Sequence, residues 1–392
     1  VSSTLFHNIG ELRTVGPHGT IHNAALVADN GTIAWIGSHE HAPDCDHAHD
    51  LGGRAVLPGW VDSHTHMLFD GNRAHEFEAR MAGQNYAAGG INITVDATRA
   101  ATTARLEQLL IDRIRAARHQ GTTTIETKTG YGLDVESEAH AAQLAHRYVD
   151  DVTFLGAHVV PRGANAEDYV TLVCTDMLDA VIDHVHWIDV FCERGAFNED
   201  QARQVLQAGK DRGLGLRVHG NQLGEGPGVK LAVEMGARSV DHVNYLSADD
   251  IELLAAHDTV ATVLPACDLS TRAPLAPART LLDAGATVAI ASNLNPGTSY
   301  TSSMNFCVAT AVLQMHLSLD EAICAATHAG AVSLNRHAVH NGLDPRGRPA
   351  VGSLVEGAEA NLHVLDTPHA IDLAYRPGMP LSWATFIRGE KV

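Results

Sequence analysis

The sequence predicts an α/β protein: a (β/α)8 TIM-like barrel inserted in a small β-sandwich domain made of both termini. Three observations carry this. From Leu57 onward, short apolar or β-branched runs alternate with Ala-, Leu- and Glu-rich segments of helical period, eight times over. The runs end in polar residues, several of them histidines, and catalytic groups of such barrels stand at the C-terminal ends of strands. After Asn341 the strand pattern of the first fifty-odd residues returns, so the two ends read as one domain.

The N-terminal strands are expected over Ser3–Ile9, Thr20–Ala28 and Thr32–Gly37, with Asp29-Asn30-Gly31 as a hairpin signal between the last two. His22, His39, His41, His47 and His49 lie in loop-like sequence and read as solvated surface histidines. The barrel strands are expected over Val56–Asp62, Thr122–Thr127, Val152–Ala157, Trp187–Cys192, Gly215–Val218, Arg238–His242, Thr259–Leu264 and Thr287–Ser292. Helices between them include Thr103–His119, Glu136–Tyr148, Glu199–Arg212, Gly228–Met235, Ala248–Ala256 and Ala276–Ala284, which is the crossover each parallel pair needs. An open doubly wound sheet is the alternative, and the lack of a Gly-rich nucleotide loop after any strand counts against it. The tail supplies strands at Ala360–Leu365 and Trp383–Gly389 beyond the Gly/Pro-rich return Asp344–Pro349. The domain expectation is 1–56 with 345–392 as the composite domain and 57–344 as the barrel.

A length of 392 residues with 45% hydrophobic content and 35 glycines suits a large packed core. The net charge of −19 argues against a nucleic-acid partner, which needs a basic footprint, but not against a small anionic ligand held by local charge. The six cysteines show no zinc-ribbon or redox spacing and read as thiols of a reducing compartment. No secretory start and no run long enough to span a bilayer is seen, so the expectation is cytoplasmic, with no membrane partner. The Asn-x-Thr match at Asn92 then reads as accidental.

Chemistry begins at Leu57-Pro58-Gly59-Trp60-Val61-Asp62-Ser63-His64-Thr65-His66. In extended chain alternate side chains share a face, so His64 and His66 point to one side, where two imidazoles hold one metal ion. Later strands end in Lys128 with Tyr131, then His158, Glu193, His219, His242 and Asn293. Any one of these histidines is more simply a packed or surface residue; histidines at four separate strand ends are not. His64, His66 and His219 are the candidate ligands of a single divalent ion, Zn2+ or Fe2+/Fe3+, which imidazole suits. Such an ion lowers the pKa of water to about 7. No lysine closes the fourth strand, where a bridging residue of a two-metal site is placed; Cys192 and Glu193 stand there.

The chain resembles the imidazolonepropionase family of the amidohydrolase superfamily over essentially its whole length. The resemblance rests on Asp62–His66 followed by Gly71-Asn72-Arg73, Thr94–Arg99, Lys128-Thr129-Gly130-Tyr131-Gly132-Leu133, Gly156-Ala157-His158, Asp241-His242 and Asn295-Pro296-Gly297-Thr298-Ser299. It implies hydrolytic opening of 4-imidazolone-5-propanoate, with Arg73, Tyr131 and His158 facing substrate beside Asn295, Gly297 and Thr298, and Tyr86 as a weaker candidate. Arg73 is suited to clamp a carboxylate, Tyr131 to offer a ring face and hydroxyl, and His158 to polarise a carbonyl oxygen. It also implies a homodimer.

Two positions depart from the family pattern. Asn293 stands where an aspartate binds the metal and handles protons, and Gln222 stands where many members carry a glutamate. Asn293 remains a candidate ligand through its oxygen but accepts no proton near neutral pH. His242 is the residue expected to take over proton transfer, with Gln222 and Asn293 beside the reacting atoms and Gln222 also toward substrate. Two rivals are a deaminase of the same superfamily, which Gln222 argues against, and a barrel that kept its fold and lost its chemistry, which metal content would decide.

Overall fold

The computed structural model describes residues 3–83 and 90–392. Eight parallel strands lie side by side in chain order: Trp60–Asp62, Thr122–Lys128, Asp151–Ala157, Trp187–Cys192, Gly215–Gly220, Ser239–His242, Val260–Val263 and Val288–Ile290. The sheet closes beyond its formal ends, where Asn293 N–H donates to the His64 carbonyl (3.0 Å) and His66 N–H to the Leu294 carbonyl (3.0 Å). The barrel expectation holds. Helices Thr103–Arg118, Val135–His146, Glu199–Asp211, Gly228–Met235, Ala248–Ala255 and Ala278–Ala284 return the chain between strands. Glu199–Asp211 shows why they form. Ala202, Val205, Leu206 and Gly209 recur on one buried stripe, and Asn198 and Gln201 cap each other's backbone N–H groups.

A second sheet gathers both ends of the chain, in the order Glu390–Lys391, Ser382–Ile387, Leu362–Leu365, Ala55–Pro58, Thr4–Arg13, Thr20–Asp29, Thr32–Ser38, with His47–Asp50 alongside Thr4–Arg13. Ala55–Pro58 is its pivot, parallel to Thr4–Arg13 and antiparallel to Leu362–Leu365. Phe6, Ile9, Leu12, Leu26, Val56, Leu362, Val364 and Phe386 form its core. The five N-terminal histidines expected at the surface are exposed. By contacts the chain divides into two compact units, 1–63 with 115–124 and 303–392, and 64–114 with 125–302.

One strand differs from expectation. Val56–Asp62 is two strands, because the backbone changes partners at Gly59. Gly59 N–H donates to Asn361, whereas Trp60 N–H donates to Gly121. A side chain at Gly59 would meet Thr123 at 2.2 Å, which is why a glycine stands at the handover. Helices Ala74–Met81, Ile91–Ala100, Pro265–Thr271 and Leu319–Ala326 were not anticipated. No helix among the described residues is long and apolar enough to cross a membrane.

Candidate metal centre and active-site cavity

The histidines converge at the C-terminal rim. His64 and His66 follow the first strand on extended chain whose pairing with Asn293 and Leu294 continues the sheet, so their rings lie together, 5.3 Å between centroids. His219 lies within the fifth strand and His242 ends the sixth. Ligand atoms of His64, His219 and His242 all lie within 4.8 Å of one another, and His66 Nε2 is 3.4 Å from His219 Nε2. His242 thus stands among the expected ligands, not apart from them.

Beneath the rim is a fully buried charged layer. Asp241 Oδ2 accepts from His64 Nδ1 at 2.7 Å, and Asp189 Oδ1 from His219 Nδ1 at 3.1 Å. A carboxylate only accepts, so each Nδ1 carries the proton and each Nε2 presents a lone pair upward. Lys128 Nζ reaches Glu126 at 2.9 Å, Asp189 at 3.0 Å and Asp241 at 4.0 Å, and Arg217 reaches Asp241 at 3.3 Å. Burial alone would raise the Asp241 pKa, but Arg217, His64 and Lys128 outweigh it and hold the carboxyl well below its ordinary range. Sequence reading placed Lys128 at the rim and missed the layer. The signal was Glu126 with Lys128 and Arg217 with His219, alternate residues of two strands turned to the barrel interior.

The donor set fits a divalent cation. His64 Nε2, His242 Nδ1 and Asn293 Oδ1 are buried without a hydrogen-bond partner, an arrangement that costs free energy unless something satisfies it. Burial, then the Lys128 ammonium, pushes the His64 pKa down to about 3. Burial and the neighbouring imidazoles hold His66 and His242 well below the ordinary 6.5, so the rings are neutral, as ligation requires. The protein alone thus holds His242 below the near-neutral range that suits a proton-transfer residue. His242 and Asn293 take positive φ, 85° and 63°, a region uncommon for residues other than glycine.

Above the cluster lies a cavity of about 520 Å³ including its open mouth, lined by His66, Arg73, Tyr131, His158, Gln222, Asn293, Asn295 and Thr298 among others. Arg73 is nearly buried and pairs with Glu76 through Nε (3.0 Å) and Nη2 (2.7 Å). Gly297 lies against it, and a Cβ there would lie 2.3 Å from Arg73 Nη1 and displace the guanidinium. Asn295 and Ser299 bond across a tight loop, Asn295 Oδ1 accepts from Gly297 N–H, and Arg80 donates to the Gly297 carbonyl at 2.8 Å. Asn293 Nδ2 donates to Thr298 Oγ1 at 3.1 Å, turning its oxygen the other way. Gln222 faces the cavity, with its backbone N–H held by the Glu193 carboxylate. Glu193 is thus a loop anchor, not a lining residue. Tyr86 lies outside the described residues.

His158 corrects its expected role. Its Nδ1 lies 3.0 Å from the Gly130 carbonyl, which only accepts, so Nδ1 carries the proton. Burial, then His219, lowers its pKa to about 3. The ring is then neutral and Nε2 offers a lone pair. It accepts a hydrogen bond and cannot polarise a carbonyl oxygen by donating one.

A parallel eight-stranded barrel with imidazoles converging on one point at its C-terminal rim defines a metal-dependent hydrolase of the amidohydrolase class. The fold is similar to that of guanine deaminase from C. acetobutylicum with bound guanine (TM-score 0.74, 14% identity, 100% of both chains) and of an adenosine deaminase from Xanthomonas campestris with bound zinc (TM-score 0.71, 16% identity, 99% of this chain and 92% of that one). No family model matches the chain. Imidazolonepropionase of Paenarthrobacter aurescens is 58% identical, covering 100% of this chain and 98% of its own, and that of Saccharopolyspora erythraea is 59% identical, covering 100% and 99%. The chain belongs to the imidazolonepropionase family.

Proposed function

We propose that the protein hydrolyses the cyclic amide of 4-imidazolone-5-propanoate to N-formimidoyl-L-glutamate, a step of histidine degradation. The observation that carries this is the Arg73 guanidinium in an otherwise uncharged cavity. On a chain of net charge −19, the lining holds Arg73 beside neutral imidazoles and amides, with no acidic side chain among the described residues. That lining suits an anionic heterocycle.

We assign one divalent ion, zinc or iron, to His64, His66, His219 and Asn293 Oδ1, with His242 beside them. When bound, it supplies Lewis acidity and brings water's pKa to about 7. The residues do the rest. Arg73, fixed by Glu76, meets the propanoate carboxylate. Tyr131 covers one ring face, and His158 Nε2 accepts a ring N–H. The His242 ring, a neutral acceptor, takes the proton of the attacking water and returns it to the departing nitrogen. Hydroxyl joins the carbonyl carbon as the carbon–nitrogen bond breaks. Gln222, Asn295 and Thr298 hold the ring's polar edges, and Tyr86 keeps its place in the proposal. A cytoplasmic homodimer with no nucleic-acid partner, built as a 57–344 barrel within a 1–56 and 345–392 domain, completes the reading.

The test is metal analysis with a hydrolysis assay on imidazolonepropanoate, for this chain and for Asn293→Asp. Hydrolysis by both, with about one equivalent of metal, supports the proposal. If this chain is metal-free and inert while Asn293→Asp gains both, His242 is not the base. Ammonia release from a heterocyclic amidine without ring opening would replace the substrate assignment.

A further inference from the structure

Helix Val135–His146 points a fully buried carboxylate, Glu138, back into the loop that precedes it. Glu138 Oε1 accepts from Gly132 N–H at 2.7 Å and Leu133 N–H at 2.9 Å, and Oε2 from Gly130 N–H at 3.0 Å; the Thr129 hydroxyl also donates to the carboxylate. The loop needs this. Leu133 sits at φ 57°, a conformation an L side chain seldom keeps, next to Gly130 at φ 111°, which glycine allows. A Cβ on Gly130 would lie 2.7 Å from the Leu155 carbonyl, so the loop is also pressed against the third strand.

The same loop carries two groups of the cavity. Tyr131 projects from it, its ring 5.4 Å from that of His158 and 6.2 Å from that of His66. The Gly130 carbonyl holds His158 Nδ1 at 3.0 Å and so decides which ring nitrogen carries the proton. Gly130 is thus gripped at both ends, its N–H by Glu138 and its carbonyl by His158.

We propose that Glu138 is a positioning residue for substrate recognition: by holding the 129–133 loop, it fixes His158 as an acceptor toward the cavity and sets the place of the Tyr131 ring. The proposal rests on the reading of Tyr131 and His158 as substrate-facing groups. Glu138 itself touches no substrate. Its carboxylate is an anchor for backbone N–H groups, the role a bound anion plays in a nest of amides.

The test uses metal-loaded protein labelled with 15N-histidine, with His158 assigned through His158→Gln. The parent protein should show His158 protonated at Nδ1. Glu138→Gln turns an amide NH2 toward an N–H donor, and should release the Nε2-protonated tautomer and raise KM about tenfold while kcat changes less. Glu138→Asp, which keeps the charge and loses reach, should fall between the two. Val205→Ala, a buried helix substitution remote from the loop, serves as a control of similar thermal destabilisation and should move neither readout. Unchanged tautomer and KM in Glu138→Gln, with only a lowered Tm as in the control, overturn the proposal. A tautomer shift in a protein inert toward imidazolonepropanoate supports the positioning role and overturns only the substrate assignment.

Discussion

Lys128→Met should destabilise the barrel severely although it keeps an unbranched side chain only one atom shorter. Lys128 is fully buried and stands against three carboxylates, at 2.9 Å from Glu126, 3.0 Å from Asp189 and 4.0 Å from Asp241. Methionine leaves those carboxylates with Arg217 as the fully buried cation of the layer. Removing one partner of a buried pair costs ~3–5 kcal/mol, because the remaining charge keeps its desolvation penalty and loses its compensation. For a unit of this size that is a fall in Tm of roughly 6–20 °C. Scanning calorimetry on parent and variant reads it directly. Salt separates this reasoning from an ordinary surface effect. Exposed pairs weaken over about 0.05 to about 0.5 M NaCl, whereas the interior of a barrel is poorly screened, so the difference in Tm should persist. A loss below about 1 kcal/mol, or a difference that collapses in salt, would refute the account of this layer as a coupled buried network.

Three further outcomes follow from the same geometry. Asp241→Asn removes the anion that fixes His64 Nδ1–H and should weaken metal retention about 10–100-fold in chelator competition, with a smaller effect on Tm than Lys128→Met. Arg73→Gln should raise KM by about 10–100-fold, the loss of a charge-assisted carboxylate contact, and leave the metal content unchanged. In the terminal sheet, burial lowers the His363 pKa from 6.5 to about 3. The fold therefore favours the neutral ring, and its contribution is complete above pH 6.5 and lost as the pH falls toward 3. At about pH 5 this single group removes roughly 2 kcal/mol, so His363→Gln should flatten the pH dependence of Tm between about pH 7 and about pH 5.

The barrel strands were legible because each is a short buried run followed by a helical period, and their rim was legible because histidines recur at the ends. What was hidden depended on partners remote in sequence. The break at Gly59 is invisible locally: Val56–Asp62 is one continuous apolar run, and only Asn361 and Gly121 reveal that its two halves belong to different sheets. The buried charged layer was hidden for the same reason. Asp189 and Arg217 look like defects in apolar strands and Glu126 like one more polar residue of a threonine-rich one, and they become sensible only when the barrel brings them together. The direction of a proton was hidden as well. Nothing near His158 in sequence states that Gly130 will take its Nδ1–H, and that one bond turns an expected donor into an acceptor.

The seam of the barrel carries a consequence for the order in which the protein comes into being. His64 and His66 are made early and Asn293 late, and the hydrogen bonds that shut the cylinder run between those same stretches. Contacts so remote along the chain are the slowest to form. During synthesis the early imidazoles therefore wait, without their final neighbours, until the last strand emerges. The hydrogen bonds that close the scaffold are also those that bring Asn293 beside the early imidazoles, so a chain stopped short of residue 293 lacks both the seam and that amide.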